Sequence, residues 1–535
     1  MNESYYHPEH LPQQQQQGGP QEPKATHQAY SMPQPQKYGA PAPPYSSTPD
    51  AQQPQYPSEP PPPYYAPEKP KWNDVIFALL FLANIGGFVA VSVIGVNDLF
   101  SSAAGGGGLG DDAPPNAGTA NLNTAYLLAL VTAAAFVLSL GLSWVVKTFT
   151  KVVLEICLGL SVVFSVAYAI YLWIVRYYSG AIIFTIFAII SIICYFPMRR
   201  RIPFSTLVLQ FVIRIANEHK STYGLAILST VILAVYSAWW SFAITGIYSK
   251  YNPNSASCRN RNGEGCNNST LIGLAIFLVF SFYWTTQVIS NVALTSISGI
   301  FGQFTLTRTH YFSGSHPSQS HLSITLGCLR RAVTYSFGSI CEGSLIVALL
   351  ETLRAILNIL ASEEQQSGDF IGYCLACIAR CFVGCVSQLV QYFNRYAYIE
   401  IALFGKKYID AARDTWRLLK DRGIDALIND CLVSNIWTFG SFAVGALCSF
   451  FVYIYLKVSN PSYIDQSPGL YAALIGYGFV IGFFISHSLG YGCLSSGVST
   501  VFVCLGERPM VLAQRDPVLF EMIREKYPRV VMGVV

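Results

Sequence analysis

Glu342 stands inside the apolar run "SFGSICEGSLIVALLETLRAI". An ionisable group within a membrane-length apolar stretch is costly, and it marks either function or a buried pair. Gly338 and Gly343 flank it and permit close helix approach or local unwinding. Arg380 stands near the middle of another apolar run, 371–394, and needs a buried anion there. Glu342 or Glu351 could supply it. Two readings stay open. Glu342 belongs to a cavity for a cationic solute, or Glu342 and Arg380 form a structural ion pair. Glu351 and Arg354 lie three apart, the spacing of neighbours on one helix face.

Aromatic residues are the second chemical ingredient. "VYSAWWSFAITGIY" holds Trp239 and Trp240, and "FSFYWTTQVISN" holds Tyr283, Trp284, Gln287 and Asn291. A quaternary ammonium has no N–H to donate, so proteins recognise it with aromatic faces. Trp239, Trp240, Tyr283, Trp284 and Glu342 are therefore the candidate substrate-binding residues. Packing between helices is the competing reading for the aromatics. Cys374, Cys377, Cys381 and Cys385 repeat along one helix face, but their vertical spread is too great for one tetrahedral ion, so helix packing is expected. No nucleotide-binding loop, nucleophile elbow or zinc-protease motif occurs, and His487 is isolated. No catalytic residue, cofactor or metal is expected.

Outside the apolar runs, "EGCNNST" carries two overlapping glycosylation acceptors, Asn267 and Asn268, beside Cys266. Cys258 lies eight positions earlier, so a Cys258–Cys266 disulfide is expected if this loop faces an oxidising space.

The elements that must position these groups are membrane helices. The chain is 52% hydrophobic and 12% charged, against about 25% charged for a soluble domain. Ten windows are long and apolar enough to cross a bilayer: 75–96, 124–146, 152–175, 181–197, 224–248, 270–294, 332–360, 371–394, 432–456 and 469–495. The expected fold is an all-α polytopic membrane protein. The stretch 203–213 is too short to span and reads as an interfacial helix. Ile409, Trp416 and Leu419, set among basic residues, read as an amphipathic helix on the inner leaflet.

Loops 147–151, 198–223, 295–331, 395–431 and the segment from 496 hold 22 Lys and Arg; the alternate set holds 5. The bias places the first set, and both termini, in the cytosol. The 249–269 loop then lies outside, where its cysteines and asparagines have a use. A net charge of +4 without a basic stripe gives no reason to expect nucleic acid.

Residues 1–71 hold 18 of the 29 prolines and few aliphatic side chains, the composition of a disordered cytosolic tail. Pro61-Pro62-Pro63-Tyr64 and Pro62-Pro63-Tyr64-Tyr65 each fit P-P-x-Y, a polyproline ligand for a WW-domain ubiquitin ligase. A Pro/Tyr-rich spacer is the plainer alternative. The expected division is a tail over 1–71, a transmembrane domain over 72–505 and a cytosolic C-terminal tail over 506–535.

The segment 388–419 resembles the choline transporter-like family through Asn394-Arg395, Ala397-Tyr398-Ile399, Ile401-Ala402 and Gly405-Lys406. "GSICEGSLI" and "GVSTVFVCLGERP" look like the same family, and the likeness covers roughly 72–535. The Pro/Gln-rich tail and short first external loop resemble its fungal, pH-nine-sensitive-type branch. The resemblance implies a plasma-membrane solute carrier with choline as candidate substrate, working by facilitative alternating access. A membrane scaffold acting through its tail, and a channel, are the rival readings.

Overall fold

A computed structural model describes residues 71–103, 122–253, 268–306, 321–367, 370–459, 468–507, 513 and 517–526. The tail with Pro61 to Tyr65, and Cys258, Cys266 and Asn267, lie outside the described residues; Asn268 opens a helix. Within a bilayer the backbone has no water to bond, so every polar group must be met inside the segment, as a helix does. The described residues accordingly hold helices and no strand. They are α1 (Val75–Ala103), α2 (Leu122–Thr148), α3 (Thr150–Ile174), α4 (Tyr178–Glu218), α5 (Ser221–Tyr251), α6 (Asn268–Leu306), α7 (His321–Val333), α8 (Phe337–Ser367), α9 (Phe370–Phe404), α10 (Tyr408–Ser459) and α11 (Pro468–His487). A π-helical turn (Ser488–Ser495) leads into α12 (Ser496–Glu507), and α13 (Pro517–Lys526) follows.

Ten helices among these residues are long and apolar enough to cross a membrane, each overlapping one expected window. Their outward faces carry large apolar side chains suited to lipid. On α9 these are Ile371, Leu375, Ile378, Phe382 and Leu389. Cys381 and Cys385 are also exposed, so the packing expected of the cysteine row does not extend to them.

Three expectations change at the end of the bundle where the basic loops lie, here called the basic end. The stretch 203–213 is not a helix of its own. It continues α4 through Pro197 and Pro203, and Val208, Leu209 and Val212 are fully buried. One face of this part of the helix is packed in the core, while Pro203, Gln210 and Arg214 are exposed on the other. The segment from 496 is likewise a buried helix, with Val498, Val501 and Leu505 in the core. Finally, α10 joins the expected amphipathic stretch to the ninth span without a break. Its inward stripe is Tyr408, Ala411, Thr415 and Leu418; Ile409 and Trp416 are exposed, while Leu419 packs partly on the core.

The largest core cluster therefore sits at the basic end. It joins the second half of α4, Ile297 and Phe301 of α6, Tyr396 and Ile399 of α9, Trp437 of α10 and most of α12. Gly497 and Gly490 permit this closeness: a Cβ would meet Val212 at 2.5 Å from the first and Trp437 at 1.9 Å from the second.

Candidate functional site

The helical hairpin of α8 and α9 carries a strip of polar groups along its seam. Three contacts fix its antiparallel register. Arg380 donates to Asn358 Oδ1 at 2.6 Å, Ser387 donates to Glu351 Oε1 at 2.6 Å, and Asn394 Nδ2 donates to the Gly343 carbonyl at 2.9 Å. Gln391 adds a donor to Glu351, and Arg354 pairs with Glu351 at 3.5 Å, the pair that their spacing suggested. Tyr283 of α6 lies near both charges. From Glu342 to Asn358 the helix rises about 24 Å, most of a hydrocarbon core of about 30 Å.

This register overturns the ion pair between Arg380 and Glu342. Arg380 is satisfied by Asn358, while Glu342 lies near the start of α8, roughly 24 Å further along the axis. Sequence distance from a helix end does not fix register; the packing of α8 on α9 does.

At the basic end the strip opens into a built site. Gly338 and Gly343, the glycines flanking Glu342, both serve close approach. A Cβ on Gly338 would meet the Asp74 carbonyl at 2.2 Å, and one on Gly343 would meet Tyr408 at 2.5 Å and the Tyr398 hydroxyl at 2.6 Å. The segment before α1 is pinned here. Asn73 Nδ2 donates to the Gly405 carbonyl at 2.8 Å, and the Asp74 carboxylate accepts from Ser339 Oγ and, at 3.0 Å, from the Tyr408 backbone N–H. Tyr408 donates to Asn394 Oδ1 at 2.7 Å, and Asn291 of α6 donates to Ser344 Oγ at 3.0 Å, next to Tyr398. Burial, and behind it the charge of Glu342, push the Tyr408 hydroxyl up to about 12, against the Asn394 hydrogen bond. The Glu342 carboxylate has neither a hydrogen bond nor an ion pair among the described residues; Asp74, another acid, is the charge beside it.

The aromatic candidates divide. Trp284 donates its indole N–H to the Cys341 carbonyl at 3.1 Å, directly before Glu342, and packs edge-on against Phe81. With Tyr283 it joins the α8 side. Trp240 donates to the Leu278 carbonyl at 2.8 Å and lies against Phe282. Trp239 is exposed, with its ring edge on Phe88. These two tryptophans therefore stand between α1, α5 and α6, on another side of α6 from Glu342, and the five candidates do not close into one cage.

A second network surrounds Arg395, one position after Asn394. Arg395 donates to the Tyr491 hydroxyl at 2.6 Å and to Ser495 Oγ at 2.7 Å, with its guanidinium over the Tyr491 ring. Asp430 accepts from Tyr396 at 2.6 Å and Ser499 at 3.1 Å. Beyond it, Gly405 ends α9 with φ of 67°, a left-handed conformation that favours glycine. Lys406 then turns back to Glu400 at 2.9 Å and Asp414 at 2.8 Å. Burial alone would lower the Lys406 ammonium, but the two carboxylates outweigh it and hold it above its ordinary value. An open pocket of about 450 Å³ between α2 and α4 is rimmed by Lys147 and Arg214 and has no aromatic wall, so it does not suit an organic cation.

Sequence reasoning missed Asp74, Tyr398 and Tyr408 as neighbours of Glu342. Their signals were present: an Asn-Asp pair just before the first span, and tyrosines within the quoted family segment. That segment now has physical roles, since Asn394, Arg395, Tyr398, Gly405 and Lys406 each hold a separate contact described above.

Residues 182–510 match the family model described as plasma-membrane choline transporter. The chain is similar to the protein PNS1 of Mycosarcoma maydis, 44% identical over 466 residues, covering 87% of this chain and 85% of that one. It is 44% identical over 467 residues to PNS1 of Cryptococcus neoformans var. neoformans serotype D (strain JEC21), covering 86% and 83%. PNS1 of Gibberella zeae is 36% identical over 466 residues, covering 86% and 84%. With ten apolar helices and the quoted segment in place, the chain belongs to the choline transporter-like family.

Proposed function

We propose that this protein is a plasma-membrane solute carrier for a small organic cation, choline or a related amine, working by facilitative alternating access. The observation that carries the reading is the polar strip along α8 and α9, ending at an acid with no protein partner. A lipid-facing seam gains nothing from such groups, whereas a solute path needs them. Family membership supports transport as the activity. Glu342, Tyr283 and Trp284 line the path, while Trp239 and Trp240 stand outside it on another side of α6.

The basic end faces the cytosol in this reading, by the bias of Lys and Arg. Both termini are then internal, and the domain division at 71 and 505 stands as part of the proposal. Cys258 and Cys266 form a disulfide outside, beside Asn267 and Asn268 as glycosylation acceptors. Pro61 to Tyr65 recruit a WW-domain ubiquitin ligase inside.

The test is labelled choline uptake into liposomes holding the purified protein, with and without choline preloaded. Saturable uptake accelerated by internal choline is expected. Unsaturable flux without acceleration would indicate a channel. No flux of choline or ethanolamine from folded protein would reject this solute class.

A further inference from the structure

The pocket of about 450 Å³ between α2 and α4 does not suit an organic cation, and its rim suits a ligand of the opposite kind. Lys147 of α2 and Gln210, Arg214, Asn217 and Glu218 of α4 line it. Exposed cations often lack an ion pair. These two are distinguished by converging on one concavity from two helices, with no hydrogen bond or ion pair to either among the described residues. Gln210 and Asn217 add amides that both donate and accept. Glu218 is the one acid on the rim. It already has an interaction within the protein, and a carboxylate accepts from more than one donor.

The depth of the pocket follows from α2. Lys147 stands at the end of one candidate span, Ala129–Thr148, just before the next begins at Thr150. Trp144, one turn earlier, is exposed, and tryptophan favours the boundary between hydrocarbon and water. The pocket therefore lies at headgroup level, at the basic end. Val137, Leu140, Trp144 and Lys147 follow one another at steps of three and four, so they share one face of α2. The three apolar members are exposed. That face offers surface for an acyl chain and ends at a cation. A lipid uses both parts, whereas a soluble phosphate uses only the last.

The charges select the headgroup. Lys147 and Arg214 can each take an anion, Arg214 through two parallel hydrogen bonds, while Glu218 can take a cation. A serine phospholipid carries a phosphate, a carboxylate and an ammonium, which match the three rim charges one for one. An ethanolamine or choline lipid lacks the carboxylate and leaves one rim cation unpaired. A polyphosphorylated inositol lipid brings no cation for Glu218 and meets it with like charge.

We propose that the pocket between α2 and α4 binds the headgroup of a serine phospholipid in the leaflet at the basic end. Such lipids give the cytoplasmic leaflet its negative surface, and the cytosol is the side that the Lys and Arg bias gives this end.

The purified full chain in detergent micelles is titrated with phosphatidylserine, phosphatidylethanolamine, phosphatidylinositol bisphosphate and soluble phosphoserine, and the bound species are counted by native mass spectrometry. Phosphatidylserine should bind about tenfold more tightly than phosphatidylethanolamine. Lys147→Gln and Arg214→Gln should each weaken it about tenfold. Glu218→Gln should narrow the preference over the inositol lipid. Lys420→Gln, exposed at the same end but outside the pocket, should change nothing. A loss of similar size in Lys420→Gln would mean a diffuse attraction to the basic end and overturns the site. Equal binding of the ethanolamine lipid, or tighter binding of the inositol lipid through the same two cations, overturns the serine assignment. Soluble phosphoserine held as tightly as the lipid would make this a free-anion site and overturns the lipid. None of these readouts uses transport, so each leaves the carrier reading as it stands.

Discussion

The chain holds two polar networks one residue apart on α9, and they differ in what is left over. Arg395 and Asp430 sit in a nearly closed set: Tyr491 and Ser495 take the two terminal guanidinium nitrogens, Tyr396 and Ser499 serve the carboxylate, and Arg395 Nε is left without a hydrogen bond among the described residues. Asn394 faces the other way, into a set where Glu342 keeps an unpartnered carboxylate beside Asp74. Similar residue types thus do different work. A network whose charged groups both find hydrogen-bond partners within the protein fixes the position of helices. A network with spare capacity can take a solute. The closed set also ties α9 to the π-helical turn, a local feature frequent at functional sites, so it holds the frame against which the open set operates.

Breaking the closed set should have the largest effect. Arg395→Leu strands Tyr491, Ser495 and the charge of Asp430, and should cost about 3 kcal/mol or more of stability. Thermal melting in detergent measures it, and a loss below about 1 kcal/mol would show that this network is not what fixes the helices. Glu342→Gln should do the reverse. It removes no protein contact, so melting should move by less than about 1 kcal/mol, while uptake of a cationic solute should fall about tenfold or more. Uptake kinetics identical to the wild type would take Glu342 out of the mechanism. The smallest effect is expected outside both sets. Arg417 pairs with Asp414 at 3.3 Å on an exposed face, and Arg417→Ala should change stability by about 0–1 kcal/mol. A shift as large as that of Arg395→Leu would mean that exposure, not partnership, had been misjudged.

Some of this is legible in the sequence. The overlap of the ten windows with ten apolar helices follows from composition alone, and so does the Glu351–Arg354 pair, whose members are one turn apart. The two glycines beside Glu342 were marked for close approach, and both have it. Other readings failed for a common reason. The segments 203–213 and 496–505 are short and apolar, and nothing within them says whether water, lipid or protein surrounds them. Burial came from neighbours distant in the chain, as with Phe204 against Phe502. Arg380 was matched to the wrong anion because its true partner depends on how far α9 slides along α8.

The sequence by itself determined that this chain crosses a membrane about ten times, where its charges gather, and which family it resembles. Those properties are sums over single segments, and hydrophobicity adds up locally whatever the partners are. Only the tertiary structure decided which end holds the core, which acid is left without a cation, and which tryptophans face the strip. Each of those is a relation between helices, set by register and by the small residues that let backbones approach, and no single segment contains it.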